Sequence, residues 1–341
     1  MRPLSAYSHL ALATLALGES HYFFSGFFAG STIVGIAFDD ATSDLSLVNN
    51  ITTQATSGSK WIAIDVGQNA NYLASASSSP YTVFGVAYST GCPAQAISVD
   101  ESGALGTVVA NLTYGNSSGV HGFDLSPHSD FIYSADDMGN AVWVHSYDNE
   151  TQTAKEIQYF AAPSGANPRH LAAHPNGQWV YVVYEEANSL AVFERDAATG
   201  LLTDTNVTYS LLPSGYTNTS SYWADEAKFS IPSSNSSATS PKYLVTGTRS
   251  RSTSVTGYFS AFALDAVTGA ITEQLFITPS TASGGSANAV SPALFSEEYF
   301  AITDSGSNFI EMWKIDEDGK DAVAVAHLGL SAGPANVVWV S

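Results

Sequence analysis

PRHLAAHPNGQWVYVVYEEANSLAVFERDAATG, from Pro168 to Gly200, decides the fold. It reads as a short strand, a Pro-Asn-Gly turn, an aromatic and β-branched strand, a small-residue turn and a third strand ending in Asp. The preceding stretch, VHGFDLSPHSDFIYSADDMGNAVWVHSYDNET from Val120 to Thr151, repeats the pattern, and further copies begin near Trp61, Ala224 and Ser286. A unit of about 50 residues made of four short strands is the signature of a β-propeller. One such sheet cannot bury both faces alone, so the units must stack around an axis. The chain is therefore expected to be all-β, a single propeller of four-stranded blades.

Working outward, an apolar run ending in Asp and a tight turn recurs in IVGIAFDDATSDLSLV (Ile33–Val48), LAVFERDAATGLLT (Leu190–Thr203), FSAFALDAVTGAIT (Phe259–Thr272) and IEMWKIDEDGKDAVAV (Ile310–Val325). Alternation of apolar and polar residues fits half-buried outer strands, and the Asp-x-x-Thr-Gly segments fit turns. Asp196, Asp265 and Asp316 therefore read as structural, as does His174 beside Pro175 and Gly177. The first strand, HYFFSGFFAG (His21–Gly30), has no preceding partner, and the last, NVVWV (Asn336–Val340), has no following one. Pairing them closes the ring and removes both edges. This gives six blades, with Thr217–Ser240 as loops at one rim.

The chain has 341 residues, 31 acidic and 11 basic, for a formal charge of -20. That balance argues against nucleic acid or an anionic membrane surface as a partner. MRPLSAYSHLALATLALGES resembles a secretory signal peptide over residues 1–18, leaving 19–341 as the propeller. No later segment has the length of unbroken apolar sequence that membrane insertion needs. Asn-X-Ser/Thr sequons at Asn50, Asn111, Asn116, Asn149, Asn206, Asn218 and Asn235 fit a secreted protein carrying N-glycans, most of them in turns. Cys92 is the only cysteine, so no disulfide forms within the chain, and it reads as a semi-buried bystander.

Polar residues at the ends of inner strands are the candidates for chemistry. His121 (Gly-Val-His-Gly) and Arg169 (Asn-Pro-Arg-His) enter two successive blades. Glu185 ends WVYVVYEE, and Arg249 ends YLVTGTR. All four would stand at comparable height around the axis. No metal-ligand spacing, no phosphate loop and no nucleophile elbow is present.

From about Trp61 onward the chain resembles the fungal 3-carboxy-cis,cis-muconate cyclases of the lactonase-type propeller family. The resemblance is carried by GVHGFDLSP (119–127), SADDMGNAVWVH (134–145), NPRHLAAHPNGQWVYVVYEEAN (167–188), YWADEAKFS (222–230), GYFSAFALD (257–265) and SGGSANAVSPALFSEEYFAITD (283–304). It implies ring closure on an unsaturated small molecule without metal or organic cofactor, with His121, Arg169, Glu185 and Arg249 as the catalytic set. It also implies seven blades, whereas the spacing here leaves room for six.

Two departures change the expected substrate. Trp223 stands where the family has Arg, and Ser286 where it has His. Tyr222, Trp223, Ser286 and Asn288 then become candidate substrate contacts, with fewer cations and an aromatic face. Fewer cations suit a tricarboxylate less and a polyene or quinone-like substrate more. The expected function is a cyclase repurposed for fungal secondary metabolism, a hetero-Diels–Alder closure included. The alternatives are the family's own lactonisation, a non-catalytic secreted glycoprotein used for recognition, and a hydrolytic lactonase.

Overall fold

The computed structural model describes residues 19–28, 32–52, 71–76, 79–216, 218–233, 238–285 and 288–340. Its strands form six four-stranded antiparallel sheets. The first unites both ends of the chain. In it β1 (Ser20–Phe27), β2 (Thr32–Asp39) and β3 (Asp44–Thr52) follow one another outward. The next four blades run inner to outer as β4 (Tyr72–Ser75), β5 (Thr82–Val86), β6 (Ala94–Val99) and β7 (Leu105–Leu112); then β8 (Val120–Leu125), β9 (Phe131–Asp136), β10 (Ala141–Asp148) and β11 (Thr153–Ala161). They continue with β12 (Pro168–Ala173), β13 (Trp179–Tyr184), β14 (Ser189–Arg195) and β15 (Leu202–Ser210); and β16 (Tyr222–Phe229), β17 (Tyr243–Ser250), β18 (Tyr258–Leu264) and β19 (Ile271–Pro279). The sixth holds β20 (Val290–Pro292), β21 (Tyr299–Asp304), β22 (Phe309–Ile315) and β23 (Ala322–Gly329). β24 (Pro334–Trp339) then returns to pair with β1 as the innermost strand of the first sheet.

The expected closure is thus present. Phe23 lies opposite Trp339 and Phe24 opposite Val338, and the Phe23 and Trp339 ring centroids are 4.8 Å apart. Pairing the two ends leaves neither as an open inner edge.

The second strands of the third to sixth blades show how the sequence builds the core. In β13, WVYVVY, residues 180–184 are all buried. Val180, Val182 and Tyr184 pack into the core shared with the preceding blade, and Tyr181 and Val183 into the core shared with the next. A strand buried on both faces needs a continuous apolar run rather than alternation. The outermost β15 is mostly exposed.

The Asp turns are as read. Asp196 Oδ1 accepts the Ala198 and Thr199 amides at 3.0 and 2.8 Å and the Thr199 hydroxyl at 2.9 Å, and Asp265 repeats this with Val267 and Thr268. Gly200 closes its turn at φ 72°, where a Cβ would overlap the Phe131 ring. His174 is a turn residue too, its Nδ1 accepting the Asn176 amide at 3.1 Å.

Three expectations need adjustment. Thr217–Ser240 is not one loop: after a 3₁₀ turn at Thr219–Ser221 it contains β16, an inner strand. The second sheet starts at Tyr72, and Trp61 lies outside the described residues, as do residues 1–18, Asn235 and Ser286. Of the sequons, Asn50, Asn111 and Asn206 sit on outer strands rather than in turns. Asn149 uses its amide to donate to the Pro80 carbonyl at 2.7 Å, a bond that a glycan on that nitrogen would disturb. Among the described residues no helix is long and apolar enough to cross a membrane.

Candidate active site

Each inner strand begins at the same end of the ring, and three of the four predicted residues meet there. Arg169 is the second residue of β12, Glu185 follows β13, and Arg249 is the penultimate residue of β17. Arg169 donates from NH1 to Glu185 Oε2 at 2.9 Å, and Arg249 NH2 lies 3.5 Å from Glu185 Oε1. A fourth group, absent from the sequence-based set, completes the ring. Asp225 of β16 receives Arg169 Nε at 2.6 Å on Oδ1, and Arg249 Nε lies 3.1 Å from Oδ2. Its Oδ2 also accepts the Asn288 amide at 3.2 Å. Two guanidiniums and two carboxylates thus form a closed, buried quartet.

The electrostatics follow from burial and pairing. Burial alone would raise the Asp225 carboxyl, but Arg169, Arg249 and His170 hold it below the usual range. Burial dominates for Glu185, whose carboxyl is pushed up despite both guanidiniums, with Asp137 adding repulsion. Burial opposes the charge of Arg169, yet Asp225 and Glu185 outweigh it and hold the guanidinium more firmly protonated.

At the rim, Trp223 is half-buried. Its face carries the Arg251 guanidinium, 4.0 Å from the ring centroid, and Arg249 at 5.2 Å. Its Nε1–H donates to Glu186 Oε1 at 3.2 Å, and Arg251 pairs with Glu186 at 2.6 Å. Trp223 is therefore already engaged by cations. Tyr222 points elsewhere: its ring packs with Tyr216 and Tyr258 and its hydroxyl bonds Tyr216, on the opposite side of β16 from the quartet. Strand alternation places Trp223 and not Tyr222 beside the guanidiniums. Asn288 touches the site through its backbone, and Ser286 lies outside the described residues.

His121, the second residue of β8, stands apart from the quartet. Its Nδ1 is 2.9 Å from His170 Nε2, and the edge of its ring meets Tyr88 at 4.8 Å. Tyr88 links it to the quartet: its hydroxyl donates to Asp137, and it lies in the field of Glu185 and Arg169. Burial, then that bond to Asp137, pushes the Tyr88 phenol well above its ordinary value. Farther along the inner strands, a cavity of about 340 Å³ is lined by Tyr72, Glu226, Lys228, Val290, Val337 and Trp339, among others. Lys228 donates to the Tyr72 hydroxyl there. Among the described residues no cluster of His, Cys, Asp or Glu could hold a metal ion.

Asp225, Tyr88, Asp137 and His170 were missed, although the same reading could have found Asp225 and His170. Asp225 lies in the inner-strand segment Tyr-Trp-Ala-Asp-Glu-Ala, and His170 adjoins Arg169. Tyr88 gave no signal, since it reaches the site from a loop after β5.

The fold is that of a β-propeller whose buried ionic quartet stands where the inner strands begin. The family model described as "Lactonase, 7-bladed beta-propeller" matches residues 22–278, and the chain belongs to that family. Its six sheets among the described residues are one fewer than that description. The carboxy-cis,cis-muconate cyclase of Neurospora crassa is 29% identical over 284 residues, covering 81% of this chain and 75% of the relative. Muconate cycloisomerase 1 of Cutaneotrichosporon cutaneum is 32% identical over 238 residues, covering 65% and 59%. The periplasmic gluconolactonase structure from Pseudomonas aeruginosa superposes with a TM-score of 0.72 at 14% identity, covering 95% of this chain and 99% of that one. That last likeness concerns the fold alone.

Proposed function

We propose that this protein is a ring-closing isomerase acting on an unsaturated carbonyl compound of low charge, a cyclase of secondary metabolism. The observation that carries this reading is the charge balance of the site. Arg169, Arg249 and Arg251 are matched by Glu185, Asp225 and Glu186, three against three. A tricarboxylate would be desolvated against a cluster with no net positive charge to receive it, at a cost of several kcal/mol per unpaired ion. A carbonyl or enolate oxygen needs only hydrogen bonds, and the guanidinium N–H groups supply them where charge develops during closure. Holding two ends of one flexible molecule in a near-attack pose supplies much of the remaining acceleration, a hetero-Diels–Alder addition included.

Lactonisation of carboxymuconate is the second reading, favoured by the identity to the Neurospora enzyme. In that case His121 serves as acid or base at carbon. Incubation with a panel of dienones, quinone methides and 3-carboxy-cis,cis-muconate tests both readings, with chromatography to detect isomers of unchanged mass. Conversion of a neutral or singly charged member alone is expected. Conversion of carboxymuconate alone would replace the first reading by the second. Product formation that survives in both Arg169→Ala and Arg249→Ala would remove both.

A further inference from the structure

The quartet stands where inner strands begin, whereas the cavity of about 340 Å³ lies where three of them end. Lys228 and Phe229 end β16, Ser291 and Pro292 end β20, and Val338 and Trp339 end β24. Its volume falls within the range of about 300–1,000 Å³ found for small-molecule sites. We propose that this cavity is a second ligand site, for a neutral apolar molecule carrying a hydroxyl group, an alcohol or a phenol. The ligand O–H donates to Glu226 Oε2, and its oxygen accepts from Lys228 Nζ.

Adjacent residues serve the two places because β16 bulges. Its pairing with β17 shifts between Ala224 and Ala227, which leaves Asp225 and Glu226 outside the regular register. A bulge re-aims side chains. Here Asp225 meets the guanidiniums while Glu226 lines the cavity. Glu226 is only 2% exposed. Its Oε1 lies 3.0 Å from His170 Nδ1 and 3.6 Å from Lys228 Nζ, and accepts the Ala227 amide at 3.3 Å. Its Oε2 receives no hydrogen bond from a described residue. Burial opposes the charge of Glu226, but His170 and Lys228 hold its carboxyl below the usual range. Oε2 is therefore a buried, ionised acceptor, and leaving such a group without a donor is costly.

Lys228 supplies the matching donor. One N–H goes to the Tyr72 hydroxyl and one faces Glu226 Oε1, so among the described residues a third is left for a ligand. Two C–O bonds of about 1.2 Å put Oε2 no more than about 2.5 Å beyond Oε1, hence within about 6 Å of Nζ. One hydroxyl oxygen can then meet both groups at about 3 Å. A carboxylate would set a second anion against Oε2, and an amine a second cation against Lys228. A hydroxyl satisfies both and brings no charge into an apolar space. Phe229, Val290, Leu294, Val337 and Trp339 give that space its apolar walls. Ser291 and Asn336 also line it, but Ser291 already donates to the Val337 carbonyl at 3.1 Å.

The test is isothermal titration calorimetry of the full chain with 2-naphthol at about pH 7, where a phenol is neutral. One saturable site is expected. The methyl ether 2-methoxynaphthalene, which has no O–H, and the anion 2-naphthoate should each bind at least about tenfold more weakly. Glu226→Gln and Lys228→Met should weaken 2-naphthol by at least about tenfold. Ile231→Glu should do the same by placing a charge on the lining, at a position 38% exposed where the fold tolerates it. Folded Arg169→Ala should bind 2-naphthol as the wild type does. Absence of saturable binding would overturn the proposal, as would equal affinity for the ether or the naphthoate. So would unchanged affinity in Ile231→Glu and Lys228→Met, or loss of binding in folded Arg169→Ala. Full ring-closing activity in Arg169→Ala and Arg249→Ala would instead remove the functional reading and leave this second site standing.

Discussion

Asp225→Asn tests the quartet without changing its shape. The carboxylate holds Arg169 Nε at 2.6 Å and Arg249 Nε at 3.1 Å, one on each oxygen. An amide offers one acceptor and turns its NH₂ toward the other guanidinium, donor against donor. It also removes the charge that compensates two cations exposed by only 9% and 2%. Breaking a buried pair in this way costs about 3–5 kcal/mol. For 341 residues, an unfolding entropy of about 2.1 cal/mol/K per residue gives roughly 0.7 kcal/mol/K, so the melting temperature should fall by about 4–7 °C. Differential scanning calorimetry against Glu298→Gln supplies the contrast. That residue pairs with Lys242 at 3.1 Å on the surface, where loss of the pair costs under about 1 kcal/mol. An Asp225→Asn protein melting within about 1 °C of the wild type would refute the claim that the quartet is a buried, mutually dependent network.

Arg169→Ala and Arg249→Ala should each lower kcat/KM for ring closure by about 10²-fold or more while circular dichroism stays that of a β-propeller. Asp225 and Glu226 have lowered carboxyl pKa values, so their stabilisation is complete above about pH 4–5 and is lost as pH falls through the folded values; melts from pH 6 to pH 2 should show the loss concentrated at the acid end. Glu185 has a raised value and works the other way, favouring the folded state slightly as pH falls toward 4.5, which flattens the upper part of that curve. Truncation after Gly333 removes β24, exposes β1 and unseats the Trp339–Phe23 contact, so soluble monomer on gel filtration should give way to aggregate. Gly122→Ala should cost about 1–3 kcal/mol by pushing His170 out of its place, measurable by urea unfolding.

The fold was legible because propeller blades repeat their local chemistry. The Asp-x-x-Thr-Gly turns, the doubly buried second strands and the two unpartnered ends each have one physical solution. The site was legible only in part. Arg169, Glu185 and Arg249 were grouped because the start of one inner strand and the ends of second strands in neighbouring blades reach one height around the axis. Asp225 was passed over because a carboxylate next to Glu226 in a short strand looks like ordinary polar sequence until two guanidiniums are seen to flank it. Tyr222 was wrongly grouped with Trp223 because neighbours in a strand point to opposite sides. The contact of His121 with His170 crosses from β8 to β12, a pairing between residues 49 apart that no local pattern encodes.

A crystal structure with a slowly reacting unsaturated lactone or dienone bound is the most direct measurement. The ligand oxygen should lie within hydrogen-bonding distance of the Arg169 and Arg249 guanidiniums, with its carbon skeleton beside Trp223 and His121. Density confined to the Tyr72–Lys228–Trp339 cavity, with the quartet untouched, would contradict the assignment of chemistry to these residues.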